Sequence, residues 1–201
     1  FATFLLSLAS LIVALLIAVP IGIYSAVYKG SILDKSTIFL ATLGISIPNF
    51  VMGPLLILIF SLWLGWLPVS GNDGLSSLVL PALTLGSALA AILSRMIRSS
   101  MLETMQQDYI RSARARGLSE FKVLVFHALR NAALPVVTIL GMQFGTLLAG
   151  AVITETIFSW PGIGQLMIES IQKRDYPVVQ GCVLLISFTY VLVNLITDFI
   201  C

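Results

Sequence analysis

The sequence predicts an all-α integral membrane protein, and three features of its composition support this fold class. Of its 201 residues, 58% are hydrophobic and only 10% are charged, whereas a soluble domain carries about 25% charged residues. The apolar residues are gathered into runs that reach the length of about 20 residues that a helix needs to cross a bilayer. These runs lack the alternation of a membrane β-barrel, and helices satisfy their own backbone polar groups in lipid.

Five apolar segments are long enough to cross the membrane. The second is longer than one crossing needs, and it is interrupted at Pro48 and again at Pro54. Because the sequence begins and ends within apolar runs, without an initiator methionine, we expect a longer protein to extend beyond both ends. In chain order the segments are Phe1–Tyr28, Ser36–Leu67, Leu75–Ile97, Leu134–Thr154 and Val178–Ile200.

The charges between these segments predict the orientation of the chain. The Lys29–Lys35 loop has two basic residues and one acidic residue, and the segment Arg95–Arg130 has seven basic and three acidic residues. The loop around Asp73 and the segment Glu155–Asp175 each carry a net negative charge. Since basic loops stay on the cytoplasmic side, the alternation predicts a chain that starts outside, crosses five times and ends inside.

No charged residue lies deep within a predicted span, and the polar residues found there are neutral. Asn49, Gln143 and Asn194 are candidates for a water-filled translocation path, Asn49 above all because the helix is interrupted beside it. Alternatively, these side chains only form hydrogen bonds between helices. Proton-driven carriers usually bury an ionisable group at mid-membrane, so the pattern argues against secondary transport powered from within this chain.

Small residues four positions apart recur in the fourth predicted span. They form the patterns Gly141-xxx-Gly145 and Thr146-xxx-Gly150. Because such pairs let two membrane helices approach closely, we expect this span to pack tightly against a neighbouring helix.

The segment Asp108–Pro135 is the most basic in the chain, and a glycine divides it. We expect a helix over Met101–Arg116, a stop at Gly117 in the left-handed conformation, and a second helix capped by Ser119. The result would be a helix–turn–helix lying under the membrane.

Each of these two helices is expected to have a distinct surface. The first places Tyr109, Ala113 and Arg116 on one face, and its alanines keep the surface low enough for a partner to come close. The second has an apolar stripe. On these grounds alone, an amphipathic hairpin held by anionic lipid is an equally good interpretation. The stripe consists of Phe121, Leu124, Val125 and Ala128.

The basic segment resembles the cytoplasmic EAA loop of ATP-binding-cassette (ABC) importer permeases. Aligned on Gly117, the Glu of the general pattern is replaced by Arg111 and its Pro by Arg130. The resemblance is closer to one branch, the dipeptide, oligopeptide, nickel and glutathione permeases, in which Tyr-x-Arg-x-Ala-Arg-Ala-x-Gly and His-x-Leu-Arg-Asn-Ala-x-x-Pro are typical. Here these patterns lie at Tyr109–Gly117 and His127–Pro135.

Other motifs of this branch cover nearly the whole chain. Leu-Arg-Asn at 129–131 resembles the B-type permease of a B/C heterodimer. Such subunits usually have six spans, so the resemblance implies that a further first helix and an external loop precede this sequence. The motifs are Ser46–Phe50, Gly65–Pro68, Leu80–Leu85, Phe158–Gly164 and Arg174–Pro177.

The resemblance implies a type I ABC importer transmembrane domain, with coupling helices in the loop at about 98–133. It implies three kinds of partner besides the bilayer: a homologous C-type permease, two ATP-binding subunits and an extracytoplasmic substrate-binding protein. ATP and Mg²⁺ would be bound by partner subunits, since this chain has no P-loop, and no catalytic residue is expected in it. The expected coupling residues are Tyr109, Arg111, Ala113, Arg114, Ala115, Arg116, Gly117, Leu118 and Ser119.

The stretch at about 155–177, between the last two spans, is the second candidate contact. Its Trp-Pro-Gly-Ile-Gly turn is stiff, and a short helix over Gln165–Lys173 would lie at the outer surface. The aromatic residues there are equally compatible with an anchor at the membrane interface. The resemblance implies a landing surface for the binding protein, with Trp160, Gln165, Glu169 and Asp175 as contacts.

Two other functional classes predict motifs that this sequence does not contain. A channel or secondary carrier without ATPase partners would show a filter motif or a mid-membrane ionisable group, and an intramembrane enzyme would show G-x-S-x-G or H-E-x-x-H. The single His127 excludes a histidine-rich metal site, and a net charge of +2 gives no reason to expect nucleic acid. The resemblance leaves peptides, glutathione and nickel complexes open as cargo, and implies a bacterial or archaeal inner (cytoplasmic) membrane.

Overall fold

The computed structural model describes residues 1–71 and 74–200, which form helices and short connections. Two short stretches are π-helices, which we call π1 and π2. In chain order the elements are α1 (Ala2–Val27), α2 (Ile32–Ser46), α3 (Asn49–Leu56), π1 (Ile57–Trp63), α4 (Leu75–Thr104), α5 (Asp108–Ala115), α6 (Glu120–Lys122), π2 (Val123–Leu129), α7 (Arg130–Phe158), α8 (Ile163–Gln172) and α9 (Tyr176–Ile200).

Helix length and hydropathy place up to five membrane crossings in the described residues. The helices α1 and α4, and Tyr176–Thr197 of α9, are each long and apolar enough to cross. Two bent pairs complete the set: α2 with α3–π1, which bend by 103°, and Glu120–Ala133 with Pro135–Leu147, which bend by 52°. The number agrees with the five predicted spans.

The parallel pair α1 and α4 forms the centre of the bundle, and glycines bring the two helices together. A Cβ atom at Gly86 would lie 2.8 Å from the carbonyl oxygen of Ser10, and one at Gly22 would lie 2.7 Å from Cγ2 of Ile97. Along α4, Leu93 and Ile97 are almost fully buried. In lipid there is no hydrophobic driving force for helices to associate. Close backbone packing of this kind therefore holds membrane helices together.

The helix α7 packs against α9 through the first of the two small-residue patterns. A Cβ atom at Gly141 would lie 2.1 Å from Oγ1 of Thr197, and one at Gly145 would lie 2.0 Å from the ring of Tyr190. The tight packing predicted for this pattern is therefore confirmed. The second pattern ends at Gly150, which lies outside the residues whose side-chain environment the structure describes.

The second predicted span is not a single membrane helix. Ile47 and Pro48 are extended, and α3 leaves them at 103° to α2. Proline lacks an N–H and disfavours a helical residue before it, which explains the break. The interruption expected at Pro54 is wrong, because α3 continues through this residue and then widens into π1.

Candidate functional site at the basic end of the bundle

The turn at Gly117 is closed by its own backbone. The N–H of Gly117 donates to the carbonyl of Arg114 at 2.9 Å, and the N–H of Leu118 donates to the carbonyl of Ala113 at 3.5 Å. This is the hydrogen-bond pattern of a Schellman motif, which needs a left-handed residue after the helix. Gly117 has φ +77°, so the predicted stop is confirmed and the turn has one defined geometry.

The first helix of this site is shorter than predicted. The chain leaves α4 at Thr104, turns at Met105–Gln107 and starts α5 at Asp108. Ile110 and Ala113 of α5 are fully buried in the bundle. Ala113 therefore packs inward and does not contribute to a low outer surface, contrary to our expectation, because it lies on the same side of α5 as Ile110.

The second helix confirms the predicted stripe only in part: Leu124 and Ala128 pack against the core, but the register differs at the other positions. Val123 and Ala128, five positions apart, are fully buried, whereas Phe121 is 70% exposed. The expected stripe through Phe121 and Val125 assumed 3.6 residues per turn, but Val123–Leu129 is a π-helix with bonds five residues apart. The wider turns bring Val123 and Ala128, not Phe121, onto the side that packs against the bundle.

Two side-chain contacts brace the turn. Arg114 donates from Nε to Oε1 of Glu120 at 2.9 Å and from Nη2 to Oε2 at 3.2 Å, across the turn. The amide of Asn131, at the start of α7, donates to the hydroxyl of Tyr109 at 2.8 Å. The ion pair between Arg114 and Glu120 is exposed. It therefore contributes little to the free energy of unfolding and mainly fixes the conformation of the turn.

Most of the expected coupling residues lie together on one exposed surface, which we call the basic-turn surface. Ser119 directly precedes α6 and is exposed, but its side chain makes no capping hydrogen bond to the helix, so that part of the prediction is wrong. Leu118 is half-buried. The basic-turn surface consists of Tyr109, Arg111, Arg114, Ala115, Arg116, Gly117 and Ser119.

A buried ion pair lies at the same end of the bundle, and the sequence analysis missed it. Arg98 of α4 donates to both oxygens of Asp34 in α2, at 2.7 and 2.8 Å. Asp34 also accepts from the hydroxyl of Ser25 in α1 and from the N–H of Gly30 at 2.8 Å. The only sequence signal was an acidic residue within a short basic loop. The network joins three helices at the basic end of the bundle.

The three candidate path residues do not converge. Gln143 on α7 and Asn194 on α9 are half-buried, and the antiparallel packing of these helices places both at the same level. Asn49 lies elsewhere: the adjacent Phe50 lines a cavity with Ile157 and Ile168, at the end of the bundle opposite the basic end. Asn49 is therefore not at mid-membrane, because α2 ends before it and the chain turns sideways there.

At the opposite end, the expected binding-protein contacts divide into buried and exposed residues. Trp160 is 1% exposed, and its Nε1 donates to the carbonyl of Ala2 at 3.0 Å, so it fixes the turn from inside. Gln165 is half-buried, whereas Glu169 and Asp175 are exposed. Because Glu155 is buried, these two acidic residues are balanced by the exposed Lys173 and Arg174, and the surface is not acidic as its sequence suggested.

The turn around Trp160 is held by a carboxylate that the sequence analysis did not single out. Glu155 is fully buried, and its Oε2 accepts from the N–H groups of Gly164 at 2.7 Å and Gln165 at 3.1 Å. A negative charge at the start of α8 is favourable because of the helix dipole. A Cβ atom at Gly162 would lie 2.0 Å from Oε1 of Glu155. The sequence signal for this contact was the pair of glycines, Gly162 and Gly164, that follows Trp160.

Comparison with known proteins identifies the family. The profile of the family described as binding-protein-dependent transport system inner membrane component matches residues 18–201. This chain belongs to that family.

Curated relatives of this transport-system component are bacterial permeases. The glutathione transport system permease protein GsiC of Salmonella typhimurium is 47% identical over 196 residues, and GsiC of Escherichia coli K12 is 44% identical. In both cases the match covers 98% of this chain and 64% of the relative. The chain therefore spans less than two thirds of the length of these permeases.

Solved structures confirm the fold of this transport-system component. A chain of the MetNI methionine ABC transporter, in an inward-facing conformation, matches with a TM-score of 0.78 at 18% identity, covering 99% of this chain and 91% of that one. A chain of an amino acid ABC transporter with histidines matches with a TM-score of 0.63 at 18% identity, covering 98% and 86%. The predicted all-α importer transmembrane fold is thus confirmed.

Proposed function

We propose that this chain is the permease subunit of an ATP-driven importer and that the basic-turn surface docks on its ATP-binding subunits. The basic-turn surface carries this proposal, because a rigid, exposed, positively charged turn at one end of a membrane bundle has the properties of a docking element. Lipid would bind any basic amphipathic hairpin, but it would not require a turn fixed by a Schellman motif and two side-chain braces.

The turn can transmit movement because it continues directly into a membrane helix. From Glu120 the chain stays helical through α6, π2 and α7 to Phe158, with one bend of 52° before Pro135. The Tyr109 hydroxyl is bonded to Asn131 at the start of α7, so α5 is attached to the same body. A displacement of the turn by a partner therefore moves α7, and through it α8 and α9, which supports alternating access.

In this proposal the chain is not an enzyme. Two separate subunits bind ATP and Mg²⁺ and hydrolyse the nucleotide, a homologous C-type permease completes the transmembrane domain, and the complex lies in a bacterial inner membrane. A substrate-binding protein lands at the opposite end, where Gln165, Glu169 and Asp175 are accessible and Trp160 holds their turn in place from inside. Gln143 and Asn194 are the path residues that lie at one level.

The proposed cargo is glutathione, a short peptide or a related small solute. The named relatives transport glutathione, which makes it the first substrate to test. Selectivity would reside largely in the separate binding protein, so dipeptides, oligopeptides and nickel complexes are the comparison substrates.

Co-purification tests the proposal. The full-length protein is tagged in its native operon, extracted in mild detergent, and the proteins that elute with it are identified. Recovery of a second permease and two P-loop ATPases, followed by ATP- and binding-protein-dependent glutathione uptake in vesicles, is the expected result. A protein that elutes alone and moves solute without ATP would instead be a channel or secondary carrier, and the docking role of the basic turn would be wrong.

A further inference from the structure

One segment of the molecule has an orientation unlike that of the membrane helices. It comprises α3, π1 and the connection up to Gly71, residues 49–71, and we call it the lateral arm. The axis of α3–π1 turns by 103° from that of α2. If α2 crosses with the ordinary tilt of about 20° or less, the lateral arm runs close to the plane of the membrane.

Both ends of the lateral arm meet at the same point of the bundle. A Cβ atom at Gly53 would lie 3.3 Å from the ring of Phe158 and 3.4 Å from Ile157. The N–H of Gly71 donates to the carbonyl of Phe158 at 3.2 Å. Because Phe158 ends α7 at the end opposite the basic turn, the lateral arm leaves and rejoins the bundle at the outer membrane level.

The length of α2, which precedes the lateral arm, agrees with a position of the lateral arm at the outer membrane level. The 15 residues of α2 rise about 22 Å, at 1.5 Å per residue. The two extended residues Ile47 and Pro48 add about 7 Å, for a sum near the 30 Å hydrocarbon thickness. The crossing is therefore complete when the lateral arm begins.

The lateral arm is apolar on all sides. It contains no charged residue, and none of the seven residues of π1 is buried. At its far end, Trp63 is 74% exposed and Trp66 is 70% exposed. A helix that is apolar on all faces is surrounded either by protein or by lipid, and the exposure of every residue of π1 in this chain favours lipid.

We propose that the lateral arm lies within the outer leaflet, just below the headgroups, with Trp63 and Trp66 at the lipid–water interface. Tryptophan favours this depth because its ring is apolar while its indole N–H can bond to water or headgroups. The turn that presents them is ordered, since the N–H of Trp66 donates to the carbonyl of Phe60 at 2.9 Å. By holding the lateral arm in place, Trp63 and Trp66 fix the depth of the outer end of α7. A movement of the basic turn at the other end of α7 then acts relative to this fixed point.

Depth measurements by spin labelling test this proposal. Single nitroxide labels replace Leu55 and Leu62, two exposed residues on the lateral arm seven positions apart, in the full-length complex in lipid nanodiscs. Their accessibility to oxygen and to a water-soluble nickel chelate gives their depth. Leu16, exposed near the middle of α1, is the deep control, and Asp175, exposed at the outer surface, is the aqueous control.

The expected result is that both labels are more accessible to oxygen than to the nickel chelate, and that their depths agree within a few ångström. A helix that crosses the membrane would separate the two depths by about 10 Å, which would overturn the proposal. Nickel accessibility equal to that at Asp175 would show an aqueous arm, and protection from both reagents would show a covering protein; either result also overturns it. The measurement needs no transport activity, so it stands apart from the importer proposal.

Discussion

The guanidinium of Arg98 and the carboxylate of Asp34, 64 residues apart in the chain, form a two-pronged ion pair that joins α4 to α2. Both carboxylate oxygens have a second donor, since Ser25 and Gly30 also donate to Asp34. Asp34 is 2% exposed. A buried pair is tolerated only when its hydrogen bonds are this complete, and the result is one rigid block of α1, α2 and α4 at the basic end.

Removing one partner of this pair should therefore destabilise the protein strongly. In Arg98→Met the almost fully buried carboxylate of Asp34 loses its charged partner, and the expected loss is about 3 to 5 kcal/mol. The double variant Asp34→Leu/Arg98→Met should regain most of that loss, because no uncompensated charge remains. Unfolding in detergent measures both, and a single variant as stable as the double one would contradict the interpretation.

Two substitutions at Gly117 separate backbone strain from partner contact. Any side chain there costs about 1 to 2 kcal/mol because φ is +77°, and a Cβ atom meets nothing within 4 Å. Gly117→Ala should keep the ATP-binding subunits attached, whereas Gly117→Arg should abolish ATP-driven uptake because its side chain fills the docking space. Pull-down and uptake are measured in parallel. Unchanged uptake by Gly117→Arg would exclude docking at this turn.

The contact between α8 and α7 depends on Gly164. A Cβ atom there would lie 2.5 Å from Cα of Val152, a backbone atom that cannot move aside. Gly164→Ala should cost about 1 to 3 kcal/mol, as expected for overpacking, and should reduce the response to the binding protein. Gly181→Ala, where a Cβ atom finds no neighbour within 4 Å, is the matched control and should be neutral in the same thermal unfolding assay.

The crossing of α1 and α4 should be equally intolerant of one added carbon. At Gly86 a Cβ atom would lie 2.8 Å from the carbonyl oxygen of Ser10, so Gly86→Ala should lower stability by about 1 to 3 kcal/mol. At Gly44 of α2 the nearest atom, Cβ of Ala91, is 3.4 Å away, and Gly44→Ala should be tolerated. Comparing the melting temperatures of the two alanine variants decides between close packing and a general intolerance of substitutions at glycine.

Features that depend on neighbouring residues could be predicted from the sequence. The stop at Gly117 follows from a local backbone requirement, and the break at Pro48 follows from a missing N–H. The packing at Gly141 and Gly145 was predictable because any close helix contact in lipid needs small residues. In contrast, the register of π2 could not be predicted from the sequence, because the burial of Val123 and Ala128 depends on how this segment packs against α5 and α7.

The sequence by itself determined that this chain is an α-helical membrane protein with most of its basic residues at one end, because apolar length and charge are additive properties of the chain. Only the tertiary structure decided which residues are exposed and available to contact a partner. It buried Ala113 and Trp160, brought Arg98 to Asp34 and Glu155 to the start of α8, and turned the lateral arm away from α2. These outcomes depend on contacts between distant segments, whose geometry no local pattern specifies.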